Sequence, residues 1–83
     1  MEAEIISLHK VVFRGEFKQI IAPGTEGRLC ILPSHVPLIT FLKEGKLILK
    51  NENNKKFIFE IKKGILEINP QKVNILIFFK NET

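Results

Sequence analysis

Cys30 and His35 stand five positions apart, and a thiol near an imidazole is the arrangement in this sequence that could generate a nucleophile. Their surroundings point elsewhere. Cys30 lies inside the apolar run Leu29-Cys30-Ile31-Leu32, where it is most simply a small buried hydrophobe. His9, the other imidazole, has nothing beside it to make it a ligand or a base and reads as a solvated turn residue. Neither a metal site nor a cofactor is expected. Gly24 to Gly27 is not a phosphate loop either, because no Lys-Ser/Thr follows the second glycine and no helix begins there. What remains is recognition chemistry: Ser34 and His35 sit between Pro33 and Pro37, and a polar tip held by two prolines is preorganised for an interface hydrogen bond.

The stretch from Ala22 to Gly45 positions those residues. Pro23-Gly24 reads as a turn dipeptide, with Pro23 fixing its own φ and Gly24 free to take positive φ, and Gly27 closes a polar loop holding Thr25 and Glu26. Pro33 and Pro37 bias Leu32 and Val36 toward extended backbone, so residues 32–37 should form a stiff exposed rim.

The 83 residues make one small domain, covering 1–83, with 45% hydrophobic content, seven Phe and no Trp or Tyr. That composition suits an ordered core and not a disordered tail. The net charge of +4 rests on Lys spread along the chain, with Arg14 and Arg28 the only arginines, as expected of solvated strand faces and protected edges. A single cysteine cannot close an internal disulfide, so nothing ties the chain to an oxidising compartment and a cytoplasmic location is expected. No apolar run reaches the 18 or so residues of a membrane span, and the start Met1-Glu2-Ala3-Glu4 is acidic where a signal peptide would be basic. No direct membrane insertion is expected.

Periodicity is close to two nearly everywhere. Residues 2–8, 11–13 and 17–22 read as strands, the first two turning back on each other, and Gly45 starts another over Lys46–Lys50. Residues 51–54 form a hairpin turn, since Asn tolerates left-handed backbone. The return strand places Phe57, Phe59 and Ile61 on one face. Gly64 opens a further strand over 65–69, Asn69-Pro70-Gln71 turns, and 72–80 puts Val73, Ile75, Ile77 and Phe79 on one side. The run Ile75–Phe79 carries no charge and must be paired centrally to avoid aggregation. With turns every 8 to 12 residues or so and no helical stripe, the expected fold is an all-β sandwich.

A rival function is single-stranded nucleic-acid binding, because Lys55-Lys56-Phe57-Ile58-Phe59 interleaves basic and aromatic residues. Alternation argues against it. Phe57 and Phe59 share a face with Ile61, which suits a core, and both arginines lie elsewhere.

The segment Ala22-Pro23-Gly24-Thr25-Glu26-Gly27-Arg28-Leu29, continued by Leu32-Pro33-Ser34-His35-Val36-Pro37-Leu38, closely resembles the N-terminal domain of the epsilon subunit of F-type ATP synthases. Lys10-Val11-Val12-Phe13 with Gly15, Phe41-Leu42-Lys43 with Gly45, and Gly64–Pro70 with Lys72-Val73 fit the same domain in order and spacing. The resemblance implies a flattened sandwich of about ten strands in two sheets. It also implies a mechanical role without bond chemistry at the foot of a rotor, bound to the gamma subunit and resting on the membrane ring of c subunits, with no acyl substrate near Cys30 and His35 and no nucleic-acid partner. The implied location is the cytoplasmic face of a bacterial plasma membrane, or an energy-transducing organelle membrane. By the same resemblance Ser7, His35 and Thr40 would meet gamma, and Glu26 and Arg28 would face the c ring. Pro23, Gly24, Gly27, Pro33, Ser34 and Pro37 would shape the rim. Cys30 and Ser34 stand where the family commonly has glycine, which negative φ at both would allow. Arg28 stands where an acidic residue usually faces the ring, so the ring loop should offer it an acidic or neutral acceptor, or Glu26 should take over that role. The family's helical hairpin, which can brake ATP hydrolysis, has no counterpart up to Thr83, and that role is not carried over.

Overall fold

The period-two runs form strands throughout: the computed structural model describes residues 1–80, and among them are eight strands and no helix. These are β1 (Glu2–Ser7), β2 (Lys10–Glu16), β3 (Gln19–Gly24), β4 (Gly27–Ile31), β5 (Leu38–Leu42), β6 (Gly45–Lys50), β7 (Lys56–Ile68) and β8 (Lys72–Phe79). All are antiparallel to their neighbours except β1 and β8, which run parallel.

The sandwich is one strand network folded on itself, with eight strands where about ten were expected. The difference lies mainly in β7. Gly64 does not open a new strand; β7 runs unbroken for 13 residues and serves both layers. Its first half pairs with β6, and its second half pairs with β5 and β8. A register shift between Ile61 and Lys63 reverses the phase. Inward residues are therefore odd-numbered at Phe57, Phe59 and Ile61 but even-numbered at Leu66 and Ile68. One extra residue in a strand bends it and raises its twist, which is how β7 passes from one layer to the other. Gly64 is needed for close approach, since a Cβ there would lie 2.5 Å from the Leu76 carbonyl oxygen on β8.

One layer runs β2-β1-β8-β7-β5, and the other pairs β4, β3, β6 and the first half of β7. Between them Ala3, Ile5, Leu66, Val73, Ile75 and Ile77 meet Ile20, Ala22, Ile31, Leu47, Leu49 and Ile61 in one buried cluster. The charge-free run of β8 is paired on both sides, by β1 and β7, as its composition demands. Phe57 and Phe59 close the end of the core around Phe13, with ring centroids 5.0 and 5.2 Å away. Rings packed against a third ring in this way are unavailable as a stacking platform, which removes the basis for the nucleic-acid reading.

Two loops behave as composition suggests. Asn51 Oδ1 accepts from the backbone N–H groups of Asn53 and Lys55, and Asn54 takes φ 66°. Asn69 Oδ1 accepts likewise from Gln71 and Lys72. The Pro23-Gly24 turn, by contrast, is displaced. Both residues are the last of β3, the turn is Thr25-Glu26, and positive φ falls on Gly27 at 130° while Gly24 has none. Gly24 is required instead because a Cβ there would meet the Gly27 carbonyl oxygen at 2.5 Å.

Candidate docking face

The two outer faces of the sandwich differ. On the β3-β6-β7 layer Ile58 is exposed, its cross-strand neighbours Ile48 and Ile21 are half-buried, and Lys46, Lys56 and Glu60 flank the row. On the other layer the cross-strand register lines up Val11, Ile6, Leu76, Ile65 and Phe41 in a single row across five strands. Phe41 is 63% exposed and Leu76 43%. Beside this row Phe78 sits opposite Lys63, whose ammonium lies 5.1 Å from the ring centroid. With Leu8 and His9 of the β1–β2 turn, all of these but Val11 line a shallow groove of about 540 Å³. A contiguous apolar surface on a small domain marks an interaction site more often than a tolerated exposure.

Toward its other side the face becomes polar. The next row holds Arg14, Glu4, Asn74 and Glu67. Glu4 is nearly buried and is bridged by Lys72 at 3.1 Å and Arg14 at 3.6 Å, while Asn74 Nδ2 donates to Glu67 at 3.1 Å. These carboxylates are engaged within the chain and border the apolar row.

The rim at residues 32–37 is exposed throughout and lies outside the strands, as expected. His35 Nδ1 donates to the Val36 carbonyl at 2.9 Å, which fixes the ring against its own loop and leaves Nε2 as the remaining polar atom. The rim lines a second hollow of about 390 Å³ together with Met1 and Ile68–Val73. Ser34 departs from the expectation of negative φ: it sits at 72°, in the left-handed region. A side chain there is disfavoured by contact between Cβ and the following carbonyl.

The remaining predicted residues separate into distinct places. Thr40 is half-buried on the core side of β5, and Ser7 is only 3% exposed at the end of β1. Neither offers its side chain freely; the residues beside them, Ile6, Leu8, Ile39 and Phe41, point outward instead. Glu26 and Arg28 are exposed on the β3–β4 hairpin, with Arg28 opposite Pro23. That hairpin is tied to the far end of β5, through Thr25 N–H to the Phe41 carbonyl at 3.0 Å and Lys43 N–H to the Pro23 carbonyl at 2.8 Å. The rim enters β5 at Leu38, so rim and hairpin mark opposite ends of that strand.

Cys30 is exposed, not buried, because it faces outward on the edge strand β4. Gln19 Nε2 donates to its sulfur at 3.3 Å, while His35 is held by Val36, so the structure does not join the two into a nucleophile pair. Lys80 closes the opposite end of the layer, with Nζ 3.1 Å from Glu44 and 3.9 Å from Glu60. The hydrogen bond that its ammonium donates to Glu44, followed by the charges of Glu44 and Glu60, holds its pKa above the ordinary 10.5.

The apolar face was missed in the sequence. Its signal was present in β8, where Leu76 and Phe78 make the second face apolar as well as the first. A central strand buried on both sides gives the same pattern, and only the layer arrangement shows that one side is open.

Comparison with known proteins agrees with this architecture. The family model for "ATP synthase, Delta/Epsilon chain, beta-sandwich domain" matches residues 1–78. The ATP synthase epsilon chain of Xanthomonas euvesicatoria pv. vesicatoria is 43% identical over 77 residues, covering 93% of this chain and 55% of that one. The epsilon chain of Stenotrophomonas maltophilia strain K279a is 42% identical over 76 residues, covering 92% and 54%. The chain thus spans about half the length of these curated relatives. Among solved structures, a chain in the Euglena gracilis mitochondrial ATP synthase OSCP/F1/c-ring structure superposes with a TM-score of 0.83 at 22% identity, over 90% of this chain and 48% of that one. A chain of the Tetrahymena thermophila mitochondrial ATP synthase central stalk/c-ring structure gives 0.77 at 18% identity, over 93% and 62%. At those identities the likeness concerns the fold. On the family match and the curated relatives together, the chain belongs to the delta/epsilon family of ATP synthase subunits, as its β-sandwich domain.

Proposed function

We propose that this chain is a non-catalytic subunit of the central stalk of a bacterial F-type ATP synthase, docking on the gamma subunit and reaching the membrane ring of c subunits so that proton-driven rotation is coupled to ATP synthesis. The observation that carries this reading is the apolar row from Val11 to Phe41, a surface suited to being covered by protein. The gamma subunit is the occupant assigned to it, with the rim and His35 extending the contact. The exposed Thr25–Arg28 hairpin, at the other end of β5 from the rim, is assigned to the c ring. A mechanical link needs two separate surfaces on a rigid body, and a sandwich with one shared core supplies that. The chain then acts peripherally at the membrane, on its cytoplasmic face, through the complex.

Calorimetric titration of the chain with its cognate gamma subunit tests the assignment. Phe41→Glu and Leu76→Glu should each lower affinity tenfold or more without changing the circular dichroism spectrum, since a charge would be buried unpaired at the interface. Ile58→Glu, on the opposite layer, should leave affinity within twofold. Unchanged affinity in both Phe41→Glu and Leu76→Glu would overturn the assignment.

A further inference from the structure

The β1–β2 connection is a two-residue hairpin loop, Leu8-His9, closed by the Ser7–Lys10 pair. Both central residues have positive φ, 52° at Leu8 and 67° at His9, as a type I′ turn requires. That turn strongly favours Asn-Gly, and a bulky apolar residue in the left-handed region is a genuine outlier. Leu8 is the one apolar residue among the positive-φ positions described, the others being His9, Ser34, Asn54 and Gly27. It gains no burial in return: its side chain is 66% exposed. Nor does the His9 ring show a hydrogen bond among the described residues. Both residues line the groove together with Phe41, Lys63 and Phe78. Strain held at an exposed apolar tip beside a docking groove calls for a role outside the free chain.

We propose that Leu8 is the anchor of the docking face, kept in a strained turn because the partner grips its side chain, and that the gripping segment is apolar with a carboxylate set against Lys63 and His9. This rests on the assignment of the face to the gamma subunit. The charge of the partner follows from the groove. At the turn end its charged or titratable groups are Lys63 and His9, with Lys10 adjacent, whereas Glu4 and Glu67 on the far side are already engaged by Arg14, Lys72 and Asn74. An interface needs an aromatic or aliphatic anchor seated in a pocket, and Leu8 shares its groove with Phe41 and Phe78.

The proposal implies a trade between stability and binding that a merely structural turn would not show. Four chains would be compared: the natural one, Leu8→Asn/His9→Gly, Leu8→Ala and Lys63→Glu, each for thermal midpoint, self-association by light scattering and affinity for the cognate gamma subunit. The double variant should melt about 5 °C higher, because the turn strain is gone, and bind gamma at least tenfold more weakly. Leu8→Ala should lose affinity comparably, and Lys63→Glu should lose it most at low salt. If the double variant binds gamma as tightly as the natural chain while Phe41→Glu does not, the anchor is wrong and the face assignment stands. If neither variant changes affinity, the face assignment itself fails and takes the anchor with it. A dimer that Leu8→Ala dissociates, with gamma affinity unchanged, would make a second copy the occupant and overturn the proposal.

Discussion

Ser34 shows how a single dihedral separates two readings of one residue. Held between prolines it is legible in the sequence as part of a rim, but its φ of 72° is not, because prolines restrict their neighbours to extended backbone and say less about a residue that follows one. Glycine carries no Cβ penalty at that angle, so Ser34→Gly should raise stability by roughly 0.5–1 kcal/mol after its own entropic cost. Equilibrium urea denaturation would read this as a higher midpoint at unchanged slope, and a lower midpoint would show that the Ser34 turn carries no strain. The outward placement of Cys30 is hidden in the sequence for a related reason: the apolar letters around it do not reveal that β4 is an edge strand with one face open to solvent. Its thiol should therefore react with an aromatic disulfide reagent in the folded protein at near the rate of the unfolded chain. Protection by tenfold or more would contradict the outward placement. Arg28, exposed beside Glu26, should contribute only about 0–1 kcal/mol to any contact with the c ring and lose that with salt. Arg28→Glu should lower proton-coupled ATP synthesis in membranes at low salt, and improved coupling would show that the residue is merely tolerated.

At the scale of elements, alternation made most strands legible, because a half-buried strand must repeat every second residue. Leu47 and Leu49 on β6, and Val73, Ile75 and Ile77 on β8, are buried as their spacing indicates. The 13-residue β7 was not legible as one strand. Its phase reverses between Ile61 and Lys63, and a glycine following a phase break looks like a boundary when it is a point of close packing. Gly64→Ala should accordingly destabilise by about 1–3 kcal/mol, since the added methyl meets a backbone carbonyl that cannot swing aside. A neutral outcome would mean that β7 and β8 are free to separate there. Lys80 ties this region to Glu44 and Glu60, and its raised pKa sets the sign of a pH effect. The stabilisation is complete below the unfolded value near 10.5 and is lost as pH rises through the higher folded value. The melting difference between the natural chain and Lys80→Met should therefore shrink between about pH 9 and pH 12. The Lys80 side chain is exposed, so the effect is small and falls with salt.

For the molecule as a whole, the sandwich class was legible from period two and turn spacing, and the resemblance of the Ala22–Leu38 segment already indicated the family that the comparisons establish. The docking face was not legible, because it is assembled from five strands whose order in the sheet is unrelated to their order in the chain. Ile6, Ile65 and Leu76 become neighbours only through the parallel β1–β8 pairing and the antiparallel β7–β8 pairing. The core that supports this face is small. Truncating Ile75, fully buried at its centre, should cost about 2–5 kcal/mol, a large part of the stability of a domain this size, and Ile75→Ala should be largely unfolded near 37 °C. The most direct measurement of the central claim is hydroxyl-radical footprinting of the chain, free and assembled with its cognate gamma subunit and c ring. The account predicts that Leu8, Phe41, Leu76 and Phe78 are oxidised in the free chain and protected in the assembly, while Ile58, 55% exposed on the opposite layer, is labelled equally in both. Equal labelling of Phe41 and Leu76 in the two states would contradict it.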